Sequence, residues 1–327
     1  MTQHRITSQE GRHMTVSTKF TAQALAVLVA SALALTACTN ASNTDANSKP
    51  ASTGSAAATF DPGTLKKDEE LAALVPAAIK SKGTLTIGIT PTYAPAQFLS
   101  GPNNNTPVGY DIDFAKAIGT TLGLEIDLRP ADFPSILPAL GPKYDLGIAS
   151  FTITQKRLQA VNFVSYFSAG TTWAVQKGNP KNFSLEDICG RSVGVQTGTT
   201  QEEPDLKERN EKCLAEGKKP IDVVSLKTQT DITTRLVNGS IDAMSADSPV
   251  IGYAAQQTNG AVEKIGDMYG AALAGIGIAK DDKALSEVIQ KVVTKLMADG
   301  TYTKILDSWT VSDGAIAKSE VNPSVPS

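Results

Sequence analysis

The stretch Tyr144-Asp145-Leu146-Gly147-Ile148-Ala149-Ser150-Phe151-Thr152-Ile153-Thr154-Gln155-Lys156-Arg157 decides how this chain is read. Tyr144 to Ala149 reads as a strand, and the hydroxyls of Ser150 and Thr152 stand where that strand ends. A guanidinium follows five residues after Thr152, at Arg157. Toward the N-terminus, Leu85 to Ile89 reads as a strand and Asp111 to Ile118 as an amphipathic helix, with Gly119 near its end. Leu124 to Leu128 is a second strand. Ile136 to Leu140 is a short helix with Pro134 at its start. Toward the C-terminus, Ser165 to Gln176 gives turn residues followed by a strand.

The pattern then restarts. Leu185 to Ile188 reads as a short helix, and Arg191 to Val195 as a strand entering Thr197-Gly198-Thr199-Thr200. Strands at Val223 to Leu226 and Ile241 to Met244 flank a helix at Thr230 to Val237. Pro249 to Gln257 is a helix with Asp247 or Ser248 as cap. Helices at Lys283 to Ala298 and Tyr302 to Trp309 close the chain. Strands alternating with helices predict an α/β fold with sheets covered on both faces. Two such units predict two lobes with a cleft between them.

Composition narrows the chemistry. The 327 residues suit two compact lobes, and 41% hydrophobic with 19% charged residues is an ordinary globular balance. Lys plus Arg number 30 against 33 for Asp plus Glu, with no basic run, which argues against nucleic acid as a partner. The two histidines, His4 and His13, precede an apolar N-terminal segment. If that segment is cleaved, the mature chain has no histidine, which excludes histidine triads, imidazole bases and His-ligated zinc.

Lys19 precedes an uncharged, mostly apolar run from about Phe20 to Ala37, ending in Leu35-Thr36-Ala37-Cys38. These are the parts of a secretory signal. Leu-Thr-Ala-Cys resembles the lipobox of bacterial lipoproteins, which implies a diacylglyceryl group on Cys38 and a membrane-anchored, extracytoplasmic protein. The alternative is a plain membrane anchor near the lower length limit for spanning. Met14 is a second candidate start. Residues 39–60 are polar and small, and are expected to form a flexible tether. Cys189 and Cys213 then remain as a pair in an oxidising setting. They are either a disulfide closing a loop of about 25 residues, worth roughly 3–4 kcal/mol, or two buried thiols.

Several segments in order carry a family resemblance: Thr92-Tyr93-Ala94-Pro95, Gly109-Tyr110-Asp111-Ile112-Asp113, Asp132-Phe133, the stretch quoted above, Val161-Asn162-Phe163, Gly190-Arg191-Ser192-Val193-Gly194-Val195, Gly198-Thr199-Thr200 and Asn238-Gly239-Ser240-Ile241-Asp242-Ala243. From about Gly83 to Trp309 the chain resembles the polar amino-acid family (family 3) of bacterial extracellular solute-binding proteins. The resemblance implies the type II periplasmic-binding-protein fold, two α/β lobes joined by two crossing strands. The crossings are expected near Ala174 to Lys177 and Gly275 to Ile278. Expected boundaries are 1–37 for the signal, 38–61 for the tether, 62–175 and 277–314 for the first lobe, 176–276 for the second, and 315–327 for a flexible tail.

A free amino acid presents a carboxylate and an ammonium, so its receptor needs a planar cation, N–H donors and one anion. Arg157 matches the family's carboxylate-binding arginine, whose fork grips two oxygens as lysine cannot. Ser150 and Thr152 match positions that bond the carboxylate or ammonium. Thr199 and Thr200, read at a helix N-terminus, match the second lobe's grip on the same carboxylate. Asp247 matches the ammonium-binding carboxylate, or caps the helix after it, or both. Tyr93 and Phe133 match the walls of the side-chain pocket.

The resemblance implies a monomeric capture subunit of an ABC importer, partnered by two permease domains and two ATPases, with no cofactor and no catalysis. A dehydratase-like enzyme on the same fold and a sensor acting through a membrane kinase are the competing readings. Relatives that take basic amino acids often carry an acid where this chain has Thr90, and the usual Pro-Phe is Pro95-Ala96 here. These departures point to an uncharged or aromatic side chain, or a larger derivative.

Overall fold

The computed structural model describes residues 60–325. The expected signal segment, Cys38 and nearly all of the expected tether lie outside the described residues. Among the described residues no helix is long and apolar enough to cross a membrane.

Among the described residues there are eleven strands: β1 (Thr84–Ile89), β2 (Thr92–Tyr93), β3 (Gln97–Ser100), β4 (Thr106–Val108), β5 (Glu125–Pro130), β6 (Leu146–Thr152), β7 (Val161–Gln176), β8 (Ser192–Gln196), β9 (Asp222–Leu226), β10 (Ala243–Asp247) and β11 (Val262–Ala279). Eight share one sheet in the order β5-β1-β6-β11-β7-β10-β8-β9, and β2, β3 and β4 form a small antiparallel sheet. The parallel set β5-β1-β6 serves the first lobe and β10-β8-β9 the second. Helices Tyr110–Leu122, Lys283–Ala298 and Thr301–Ser308 belong to the first lobe; Lys207–Ala215, Gln229–Val237 and Ser248–Gln257 to the second. Helices cover the parallel strands on both faces, so Leu85, Ile87, Ile89, Leu146 and Ile148 are buried without alternation.

Two long strands, β7 and β11, are common to both lobes. They pair antiparallel along their length, with register shifts between Ile265 and Tyr269, Tyr269 and Ala272, and Ala274 and Gly275. Such irregularities bend and twist a ribbon, which is how one pair of strands serves two differently oriented lobes. Gly170 lies in this bend, where a Cβ would stand 2.7 Å from Met268 Cγ and 2.8 Å from Tyr269 O. The crossings therefore differ from the expected positions. Residues 171–174 of β7 already pair with β10, and residues 274–278 of β11 already pair with β6, so both changes of lobe come earlier in the chain.

Four further expectations are corrected. Ser165 to Gln176 is not a turn followed by a strand but part of one strand from Val161, because β7 is paired on both sides. Leu185 to Ile188 forms no helix. One turn cannot nucleate alone, and the Ser184 hydroxyl holds the bend by accepting from Glu186 N–H. The helix expected at Ile136 to Leu140 begins at Phe133 and tightens at Leu137–Ala139, where Pro138 removes an N–H donor.

The fourth concerns residues 315–325, expected as a flexible tail, which dock along β7. Asn322 bonds both the N–H and the C=O of Phe163, Ser165 N–H donates to Glu320 O, and Ser319 is buried. At the other end Phe60 already packs on the core, so the ordered body begins before the expected boundary.

Cys189 and Cys213 form a disulfide with Cα atoms 5.6 Å apart. It fastens the segment before β8 to helix Lys207–Ala215 and joins the cluster of Trp173, Phe183, Val193, Val195 and Leu206. Loop closure predicts that Cys189→Ala with Cys213→Ala loses roughly 3 kcal/mol in urea unfolding. A loss below about 1 kcal/mol would show that packing alone holds this loop.

Candidate functional site

The carboxyl ends of the parallel strands from both lobes meet at one narrow cleft, the usual place for a ligand in an open α/β sheet. From the first lobe, β6 ends in Ser150 and Thr152. From the second, β8 ends in Gln196 and β10 in Asp247. All eight residues singled out in the sequence line this cleft: Tyr93, Phe133, Ser150, Thr152, Arg157, Thr199, Thr200 and Asp247. Ala149, Gln196 and Gln201 complete the lining.

Arg157 sits in the first turn of helix Gln155–Ala160, which Thr154 caps by accepting from Arg157 N–H at 3.2 Å. The cap turns the side chain inward rather than to solvent. Its guanidinium lies 5.5 Å from the centre of the Phe133 ring and 5.8 Å from that of Phe151, and those rings stack 4.7 Å apart. Nη1 donates to Thr152 O at 2.8 Å, and Nη2 donates across the cleft to Gly198 O at 3.0 Å. No carboxylate lies within salt-bridge distance of it among the described residues. Burial lowers its pKa to about 10, against the opposing charge of Asp247, so it stays cationic at neutral pH.

Asp247 occupies the cap position of helix Ser248–Gln257 but makes no side-chain cap bond. Its Oδ1 accepts from Gln201 Nε2 at 2.9 Å instead. Of the two roles open in the sequence, the geometry leaves the carboxylate turned to the cleft. Burial raises its pKa to about 6, although the Gln201 and Tyr93 hydrogen bonds and the Arg157 charge oppose the shift. The Tyr93 hydroxyl accepts from Asp247 N–H at 3.1 Å, joining the lobes beside this carboxylate. Burial, reinforced by Asp247, holds that phenol well above its ordinary pKa.

Thr200 is the cap residue of the segment Gln201–Leu206, and Glu202 N–H donates to Thr199 Oγ1 at 3.4 Å. Thr199 N–H and Oγ1 both bond Gln196 O, at 3.3 and 2.7 Å. An irregular segment, Gln201–Leu206, follows before the regular helix Lys207–Ala215, with Glu203 extended ahead of Pro204. Gly198 has φ +80°, and a Cβ there would stand 2.9 Å from Pro134 of the other lobe. Glycine thus permits the close approach of the lobes at this point.

Two glutamines escaped the sequence reading. Gln201 is buried and bridges Asp247 Oδ1 and Thr171 Oγ1. Gln196 is 1% exposed, its Nε2 donates to Lys227 O, and its Oε1 has no hydrogen-bond partner. The available signal was position: an amide at the carboxyl end of an apolar strand stands where Ser150 and Asp247 stand on theirs. The cleft thus presents one cation, one anion and a buried amide oxygen within aromatic walls. That set complements a molecule carrying a carboxylate, an ammonium and a further N–H donor.

Comparisons with known proteins identify the family. Residues 85–312 match the family described as bacterial extracellular solute-binding proteins, family 3. The arginine-binding protein ArgT of Corynebacterium glutamicum is 32% identical over 254 residues, covering 77% of this chain and 83% of that protein. An ancestral arginine-binding protein solved with arginine is 37% identical with a TM-score of 0.62, covering 69% of this chain and 98% of its own. An ancestral amino acid-binding protein described as a precursor of cyclohexadienyl dehydratase is 30% identical with a TM-score of 0.62, covering 71% and 97%. The chain belongs to the family 3 bacterial extracellular solute-binding proteins, with their two-lobe α/β fold.

Proposed function

We propose that this protein is the monomeric capture lipoprotein of an ATP-driven importer, anchored outside the cytoplasmic membrane through Cys38. It takes a polar L-α-amino acid between its lobes and presents the closed form to the membrane permease. One observation carries the ligand class: half-buried Arg157 has no carboxylate partner among the described residues, and buried Asp247 stands across the same cleft. A zwitterion supplies both missing charges at once. Bridging the lobes, it shifts the open–closed balance toward closure.

The side-chain end of the cleft offers Gln196 Oε1, a neutral acceptor, and Thr90 stands where an acid would favour a basic ligand. Relatives named for arginine, and the same ancestral protein solved with glutamine, favour a side chain bearing N–H groups. L-glutamine and L-arginine are therefore the first ligands to test. The role is binding without catalysis, so a cyclohexadienyl acid is returned unchanged after prolonged incubation.

A thermal-shift panel of the free amino acids on the soluble body should single out one or two that raise the melting temperature. Arg157→Ala should weaken the best of them about 100-fold in calorimetry, the size expected for a lost charge-assisted pair. Silence across the panel with a well-folded protein would overturn the amino-acid reading. Gln196→Leu should weaken a ligand with an N–H-bearing side chain more than one with an aliphatic side chain; equal effects would remove Gln196 from recognition.

Affinity should also depend on pH through Asp247. Its pKa in the free protein is about 6. A bound ammonium favours the carboxylate and lowers that value, so binding below pH 6 must expel a proton. The Asp247 contribution is fully present above about pH 6 and is lost by up to tenfold in affinity per unit as pH drops further. A flat calorimetric profile from pH 7 to 5 would contradict the assigned partner.

A further inference from the structure

The segment Gly109-Tyr110-Asp111-Ile112-Asp113 brings a second buried carboxylate close to the cleft, and the charges assigned above do not use it. Asp111 lies in the first turn of helix Tyr110–Leu122 and is fully buried. Its Oδ1 accepts from Tyr166 OH, and its Oδ2 accepts from Gln97 Nε2 at 2.8 Å and Ser150 Oγ at 3.1 Å. Three neutral donors from β3, β6 and β7 thus solvate one anion, and no cation is among them. The titratable groups nearest it are Tyr166 on β7 and Tyr110 on its own helix; β3 and β6 contribute only neutral Gln97 and Ser150. Burial outweighs the hydrogen bonds and raises the carboxyl to about 7.

Ser150 links this network to the cleft, which it lines. Its φ of +46° is uncommon for a residue other than glycine. Asp111 accepts from its hydroxyl at 3.1 Å. An ionised carboxylate only accepts, so the Ser150 hydroxyl must donate to it. Tyr110 OH, 3.1 Å from Ser150 Oγ, is then the donor of that second pair. The hydroxyl proton is committed inward, and only lone-pair capacity remains for the cleft.

We propose that Asp111 is a positioning residue that sets Ser150 as a hydrogen-bond acceptor toward the cleft, so that the first lobe reads the ligand's ammonium group at this point. The inference rests on the amino-acid reading above. A serine free to rotate would donate to a carboxylate as readily as it accepts from an ammonium. With Ser150 fixed as an acceptor, the first lobe has separate places for the two ends of the ligand: Arg157 for the carboxylate and Ser150 for the ammonium, with Asp247 meeting the ammonium from the second lobe.

The test is calorimetry at pH 8 with L-glutamine and L-arginine, and with their des-amino analogues 4-carbamoylbutanoate and 5-guanidinopentanoate. D111N keeps the shape of the side chain but adds a donor. It should weaken the amino acids about tenfold, the scale of one hydrogen bond to a charged group, and change the analogues less than twofold. S150A should show the same selectivity, and D111N should add less than twofold in the S150A background. In the wild type the amino-acid affinity should step down as pH falls through about 7. That step should vanish in S150A, which keeps the test open if D111N fails to fold. Equal weakening of amino acids and analogues by D111N, or multiplied losses in the double variant, would overturn the proposal alone. A wild-type protein that binds none of the four compounds would overturn it together with the amino-acid reading.

Discussion

The site depends on one half-buried cation. Arg157 is packed against Phe133 and Phe151, bonded to backbone carbonyls of both lobes, and left without a carboxylate partner. Removing an ion from water costs several kcal/mol unless it is paired and hydrogen-bonded. Two carbonyls and two ring faces offset part of that cost and leave the net positive charge in place. Asp247 carries the opposite burden, since burial raises its carboxyl to about 6 against the Gln201 and Tyr93 hydrogen bonds and the Arg157 charge. Each charge is stabilised by a partner that brings the missing sign, and a zwitterion held between them serves both.

The fold keeps these charges on separate bodies. Arg157 and Ser150 stand on the first lobe, Asp247 and Gln196 on the second, and only β7 and β11 run between the two. The register shifts in that ribbon allow the lobes their mutual angle without breaking the sheet. Contacts between the lobes include Tyr93 with Asp247 N–H, Arg157 with Gly198 O, Thr230 with Thr92 O, the exposed pair Lys227 and Asp132 at 2.7 Å, and the Phe98 and Tyr253 rings 5.6 Å apart. An exposed pair adds little stability. The disulfide lies within the second lobe, away from the cleft, and the C-terminal segment docks along β7.

Much of this was legible in the sequence because the site follows local rules. Polar residues at the ends of apolar strands, such as Ser150, Thr152 and Asp247, mark the carboxyl edge of a parallel sheet, and Thr154 with Arg157 marks a capped helix. All eight residues, chosen from the family resemblance, line one cleft. What escaped depends on tertiary context. Gln196 reads as an ordinary strand end until β8 is seen beside the cleft. The segment 315–325 looks like a polar tail, but its backbone finds partners in Phe163 and Ser165. The points where β7 and β11 change lobes are set by pairing partners far away in sequence. Asp111 looks like a helix-start acid, and only the packing of three strands makes it a buried anion.

The most direct measurement compares a bound amino acid with its α-carboxamide, which keeps the ammonium and side chain but removes the negative charge. If Arg157 recognises that charge, calorimetry at pH 8 gives a Kd about 100-fold weaker for the carboxamide, the loss expected for a charge-assisted pair. Equal Kd values would mean that the cleft does not read a carboxylate, and the account of a zwitterion bridging these two charges would fail.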